Sequence, residues 1–184
     1  MNVYDFDNTI LRGDSTKRFY AFCLRRHPRM ILRWPGLCLS FIAWKSGRMD
    51  KTGFKTRMFR FLSDIGDVQA EVAAFWRQNE SRLYPWYLSQ KRPDDLIISA
   101  SPLFLVAPVC ERLGVRLIAS LVDPDTGRFT GPNCYGEEKV IRYRREYGDV
   151  PIDDFYSDSR SDEPLSRLSR RSFLVRRGVP GPWK

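Results

Sequence analysis

The stretch Val3-Tyr4-Asp5-Phe6-Asp7-Asn8-Thr9 decides how this chain is read. Its apolar start predicts a buried strand, and its end sets two carboxylates a step of two apart, beside an amide and a hydroxyl. Carboxylates roughly 4 Å apart repel by about 4 kcal/mol at an effective dielectric near 20. The pattern therefore expects a cation or a tuned protonation. In extended backbone a step of two puts Asp5 and Asp7 on one face, so a turn directly after the strand can aim both at one ligand. Taken alone, Asp7, Asn8 and Thr9 also read as an ordinary Asx-type turn at a strand end.

Partners for these carboxylates occur further along. Leu96-Ile97-Ile98-Ser99-Ala100-Ser101 is a strand-type run ending in hydroxyls. Lys139 stands in the first turn of the helix-patterned run that starts at Gly136, where the helix dipole mildly disfavours a cation. Phe155-Tyr156-Ser157-Asp158-Ser159-Arg160-Ser161-Asp162 ends another apolar run in carboxylates four apart. Ser101 before Pro102 reads as a helix N-cap with proline at the first helical position, which leaves Ser99 at the strand tip.

These segments, in this order, resemble the four motifs of the haloacid dehalogenase superfamily of phosphohydrolases. The resemblance covers nearly the whole chain. It implies a Rossmann-like, doubly wound, mainly parallel α/β sheet and a Mg2+-dependent phosphatase that passes through an aspartyl phosphate. By the same resemblance Asp5 is the nucleophile and Asp7 the acid/base. Ser99 and Lys139 contact phosphate together with Asn8 and Thr9, and the metal set is Asp5 through its carboxylate, Asp7 through its backbone carbonyl and Asp158, with Asp162 supporting that shell. The chemistry is coherent, because a carboxylate attacking a phosphate dianion needs charge cancelled by a hard cation with oxygen ligands.

Length and composition suit an enzyme of this class. A chain of 184 residues with 42% hydrophobic residues can bury a core and carry an insertion. The four cysteines form no CxxC pair and His27 is the only histidine, so no zinc site or histidine-based catalytic pair can be assembled. Unpaired thiols and a strand that begins at residue 3 point to a cytoplasmic protein without a cleavable leader.

After Ile10 strand signals stop, and residues 14–90 read as a helical cap inserted after the first motif. Residues 1–13 and 91–184 form the core. From Asp95 strands alternate with helices: a helix from Pro102 to Leu113, a strand from Arg116 to Val122, a helix from Glu137 to Tyr147 and a last short strand from Ser172 to Val175. In such sheets ligands sit beyond the carboxyl ends of the strands.

A cap in this position resembles the phosphoserine phosphatase subclass, but Ala100-Ser101-Pro102 replaces the usual glycine pair after the motif-two serine. The fourth motif also lacks that subclass's glycines. Both departures argue against phosphoserine. The SDSxxDxPL form is more similar to the superfamily's bacterial phosphatidylglycerophosphatase, which implies a phospholipid headgroup as substrate. Residues 30–44 are almost wholly apolar and flanked by cations. As a helix they span about 22 Å against a bilayer core of roughly 30 Å, and Pro35-Gly36 interrupts them, so they do not cross a membrane. They read either as a segment at an anionic membrane surface, where each basic residue is worth about 1 kcal/mol, or as a helix buried among its neighbours.

The net charge of +9 suits anionic partners generally. A phosphorylated soluble small molecule is the alternative substrate. No nucleic-acid motif is present and none is expected to bind, and no protein partner can be inferred. Lys55, Arg57 and Arg60 are candidates for substrate specificity.

Overall fold

The computed structural model describes residues 1–183, with Lys51 described through its backbone alone. Its strands are β1 (Val3–Tyr4), β2 (Leu96–Pro102), β3 (Arg116–Ser120), β4 (Ile152–Ser157), β5 (Ser169–Arg176) and β6 (Val179–Pro182). They form one sheet in the order β3-β2-β1-β4-β5-β6. Every pairing is parallel except β5 with β6, which is the mainly parallel α/β architecture the motifs imply.

The helices are α1 (Ser15–Arg26), α2 (Trp34–Lys45), α3 (Lys51–Phe59), α4 (Val68–Asn79), α5 (Pro85–Gln90), α6 (Leu103–Leu113), α7 (Glu137–Tyr147) and α8 (Glu163–Ser166). Three of them start on an aspartate whose carboxylate accepts a first-turn N–H: Asp14 from Lys17, Asp50 from Gly53 and Asp67 from Ala70. Strand alternation sorts the core into two layers. Val3, Leu96, Ile98 and Phe155 pack with Val140 and Tyr143 of α7 and Leu165 of α8. Tyr4 and Ile97 pack on the other face with side chains of α1, α4, α5 and α6.

The helical segment between β1 and β2 divides in two. α1, α4 and α5 return to the sheet: Trp76 meets Phe6 edge to face at 6.0 Å and Tyr87 meets Tyr4 at 4.9 Å. The Trp76 indole N–H also donates to the Leu105 carbonyl at 2.6 Å, tying α4 to α6. α2 contributes no apolar side chain to either layer. It leans on α3 through Trp44 stacked on Phe54 at 5.2 Å.

Within 30–44, Met30 is buried, but Ile31, Leu32, Leu39 and Ile42 are 54–79% exposed. The buried reading of this segment fails at those positions. Among the described residues no helix is long and apolar enough to cross a membrane.

Other boundaries shift from the sequence reading for local reasons. α6 begins at Leu103, and its N-cap residue is Pro102, which has no side chain to cap with, so Ser101 stays inside β2. β3 stops at Ser120, after which Val122 bridges Phe129 across a turn held by the Asp123 carboxylate. The C-terminal strand is longer than expected, and the tail folds back as β6. Arg177 (φ 52°) and Gly178 (φ 79°) make the connecting two-residue turn, both in the left-handed region such hairpins require.

Trp76→Ala removes a fully buried ring and its hydrogen bond, and is expected to lower stability by about 3–5 kcal/mol in urea unfolding.

Candidate active site

β1 is short because the chain turns at Asp5, whose N–H still donates to the Tyr156 carbonyl at 2.8 Å as the last rung. That turn leaves the Asp5 carboxylate beyond the strand tip, 8% exposed. Lys139, 1% exposed in the first turn of α7, donates to Asp5 Oδ1 at 2.7 Å and to Asp162 Oδ2 at 2.8 Å. Asp162 also accepts from Ser157 Oγ at 2.7 Å, while its other oxygen is buried with no hydrogen-bond partner. The Thr9 hydroxyl donates to Asp5 Oδ2 at 3.1 Å and accepts the Asp158 N–H at 2.9 Å. It thereby pins the turn after β1 to the loop after β4.

Asp7 is held from two sides. Its Oδ1 accepts the Ser15 N–H at 2.6 Å, at the start of α1, and its Oδ2 accepts the Ser101 hydroxyl at 2.5 Å. Ser101 is thus an Asp7 partner and not a helix cap. The pairing of β2 with β3 slips between Ser99 and Pro102, a local irregularity of the kind that re-aims a side chain. Ser99 is fully buried, its hydroxyl accepts the Ser101 N–H at 3.1 Å, and it does not line the cleft. Asn8 sits at φ 58° and lines the cleft rim.

The electrostatics follow from four carboxylates around one ammonium. Burial alone would lower the Lys139 pKa, but Asp5 and Asp162 more than offset it and hold the ammonium charged. Burial raises Asp5 above the usual carboxylate range against the pull of Lys139, with Asp162 adding to the rise. Burial, with Asp14 beside it, lifts Asp7 to about 6 in spite of the Ser101 and Ser15 hydrogen bonds. Asp158 is lifted to about 7 by burial and then by Asp5 and Asp162. Each rise comes first from burial and then from a neighbouring carboxylate.

Among the described residues no three His, Cys, Asp or Glu side chains close into a ready ion cage. Asp162 is committed to Lys139 and Ser157. The donors that remain are hard oxygens, and Mg2+ keeps several waters and needs only one or two carboxylates. The oxygen donors fit that ion.

These groups open into a cleft of about 620 Å³. Asp5, Asp7, Lys139 and Asp158 lie at its floor, and Phe41 and Trp44 of α2 with Phe54 and Met58 of α3 form an apolar wall. The wall was not foreseen, although Phe41 and Trp44 at helical spacing were its signal. Lys55, also on α3, lines the cleft and donates to the Ala100 carbonyl at 2.9 Å and Asn133 Oδ1 at 3.0 Å. Arg57 and Arg60 lie elsewhere, in a groove between α2 and α3, with Arg57 donating to Ser40.

Residues 3–167 match the family model of haloacid dehalogenase-like hydrolases. The chain belongs to that family. The chain is 28% identical to Protein CicA of Caulobacter vibrioides, over 97% of this chain and 87% of that protein. A solved structure of a protein with unknown function from Bordetella pertussis has the same fold, with a TM-score of 0.75, 23% identity and coverage of 94% of this chain and 87% of that one. A probable phosphoserine phosphatase from Vibrio cholerae shares it at a TM-score of 0.64 and 12% identity, over 93% of this chain and 55% of its own. The haloacid dehalogenase-like chain described here is therefore a hydrolase with a Rossmann-like core.

A folded-state pKa above the unfolded one means that the native state binds the extra proton, so Asp158 costs stability increasingly as pH rises from about 4 through about 7. In EDTA, Asp158→Asn is expected to melt like the wild type at pH 4 and several degrees higher at pH 8, as read by thermal unfolding at both pH values.

Proposed function

We propose that this hydrolase is a Mg2+-dependent phosphatase that cleaves a phosphate monoester through an aspartyl phosphate on Asp5. The observation that carries the reading is the buried Asp5 carboxylate at the tip of the central strand, fixed by Lys139 and Thr9 and facing a cleft. Hydrogen bonds to both its oxygens restrict rotation, so one face of the carboxylate is held toward the cleft for in-line attack.

Asp7, with a pKa of about 6, is matched to proton transfer near neutral pH. In the first step it gives a proton to the leaving oxygen, and in the second it takes one from the water that cleaves the acyl phosphate. The Lys139 ammonium offsets charge on the phosphoryl oxygens as well as on Asp5. The Asp5 carboxylate, the Asp7 backbone carbonyl and Asp158 would hold Mg2+, with Asp162 acting through Lys139. When bound, the ion would neutralise the charge between nucleophile and phosphate and polarise the phosphoryl oxygen. Ser99 supports this constellation from behind through the Ser101 N–H.

For the substrate we propose a phospholipid headgroup monoester such as phosphatidylglycerophosphate. Two observations support this. The cleft has an aromatic wall on α2, and the segment 30–44 exposes Ile31, Leu32, Leu39 and Ile42, with Arg25, Arg29 and Arg48 flanking it in sequence. Exposed large apolar side chains on a mostly apolar helix call for an apolar partner, and an anionic cytoplasmic membrane surface supplies both apolar depth and negative charge. A soluble monophosphate is the second reading, favoured by Lys17, Lys45 and Lys55 around the cleft mouth, which would draw any small anion inward.

With Mg2+, the native chain is expected to release phosphate from lipid monoesters in mixed vesicles. Asp5→Asn is expected to lose at least 1,000-fold in kcat, and EDTA to abolish turnover reversibly. Absence of Mg2+-dependent release from every lipid and soluble monoester tested defeats the reading, and release from soluble esters alone defeats its lipid part. Ser101→Ala removes a donor that favours ionised Asp7, so the alkaline limb of the kcat/KM profile is expected to move to higher pH.

A further inference from the structure

A second groove, of about 750 Å³, borders the active-site cleft and shares Asn8 and Asp158 with it. Its other charged lining is Arg12, Arg18, Arg176 and Arg177, so four guanidinium groups face one carboxylate. They come from three separate places in the fold: the turn after β1, helix α1 and the β5–β6 hairpin.

Two features set these arginines apart. Seven others, at positions 26, 33, 112, 142, 167, 170 and 171, each face a carboxylate within 4.0 Å. None of the four in the groove does, among the described residues. Two of them pack against the groove's own residues. Arg12 lies over the Tyr84 ring at 5.6 Å, and the Arg18 guanidinium lies so close to Gly13 that a Cβ there would be 2.6 Å from its Nε. Arg177 sits at φ 52°, where a non-glycine residue is strained, and Gly178 packs so closely on Tyr84 that a Cβ there would be 2.2 Å from its ring. Four clustered cations against a single carboxylate, none of them in an ion pair among the described residues, make a local field that gathers anions, and guanidinium forks match phosphate oxygens bidentately.

We propose that this groove is a second anion subsite, which takes a phosphate or phosphodiester group separate from the one undergoing hydrolysis. The shared chemistry is a phosphate oxyanion, and it has two sources: a second phosphate on the same substrate, or the headgroup of a neighbouring phospholipid. As a subsite beside the reacting centre it rests on the phosphatase reading, whereas its affinity for the anion does not.

The test compares the wild-type full chain with Arg176→Gln/Arg177→Gly. Glycine suits the turn's positive φ, so the variant is expected to keep its melting temperature within about 3 °C and its turnover of propyl phosphate within twofold. Calorimetry with 1,3-propanediol bisphosphate and with propyl phosphate reads the first source. Wild type is expected to bind the bisphosphate at least tenfold more tightly, and the variant to lose that preference. Cosedimentation with phosphatidylglycerol and with phosphatidylcholine vesicles reads the second, with a loss of at least fivefold confined to the anionic vesicles. Either loss supports the subsite and identifies its source. If the variant matches wild type in both measurements, the subsite is overturned. If instead no monoester is turned over while binding still depends on these arginines, the phosphatase reading fails and the anion site stands.

Discussion

The buried ammonium of Lys139 is the interaction on which the rest of the site depends. It draws together the ends of three elements: the central strand through Asp5, the loop after β4 through Asp162, and α7 through its own backbone. A buried ion pair of this kind contributes little net stability, because desolvation roughly cancels its Coulomb energy. Losing one partner is severe, since it strands charge where water cannot reach. The arrangement specifies a geometry more than it adds free energy. The residual negative charge, spread over Asp5, Asp7 and Asp158, is what a divalent cation or a phosphate-bound proton would complete.

Much of this was legible in the sequence, because it is local. A strand ending in alternate carboxylates has few ways to fold. The helix from Glu137 to Tyr147 was readable from its own glycine boundaries, Gly136 and Gly148, both at positive φ. The illegible parts depended on tertiary context. Ser101 looks like a helix cap to any local rule, and only the slipped pairing of β2 with β3 and the approach of α1 make it a partner of Asp7. The β5–β6 hairpin escaped because Arg177 is an unusual residue for a left-handed turn position. Arg57 and Arg60 look equivalent to Lys55 along the chain, yet one helical face points at the cleft and the other away.

The segment inserted after β1 is likewise not one object. Its helices α1, α4 and α5 are part of the sheet's packing, joined through Phe6, Phe19, Phe75, Trp76 and Tyr87 into a single apolar layer. Only α2 and the adjoining part of α3 overhang the carboxyl edge of the sheet, and they bring the aromatic wall. Periodicity reported apolar helices throughout and could not tell those that pack from the one left facing solvent.

The bond from the Ser15 amide to Asp7 has a consequence for timing. Because the first peptide of α1 is itself a hydrogen-bond donor to that carboxylate, tilting the helix by even an ångström would change how firmly Asp7 retains its proton. A shift at the start of α1 would therefore reach the floor of the cleft as a change in acidity, with no side chain needing to travel there.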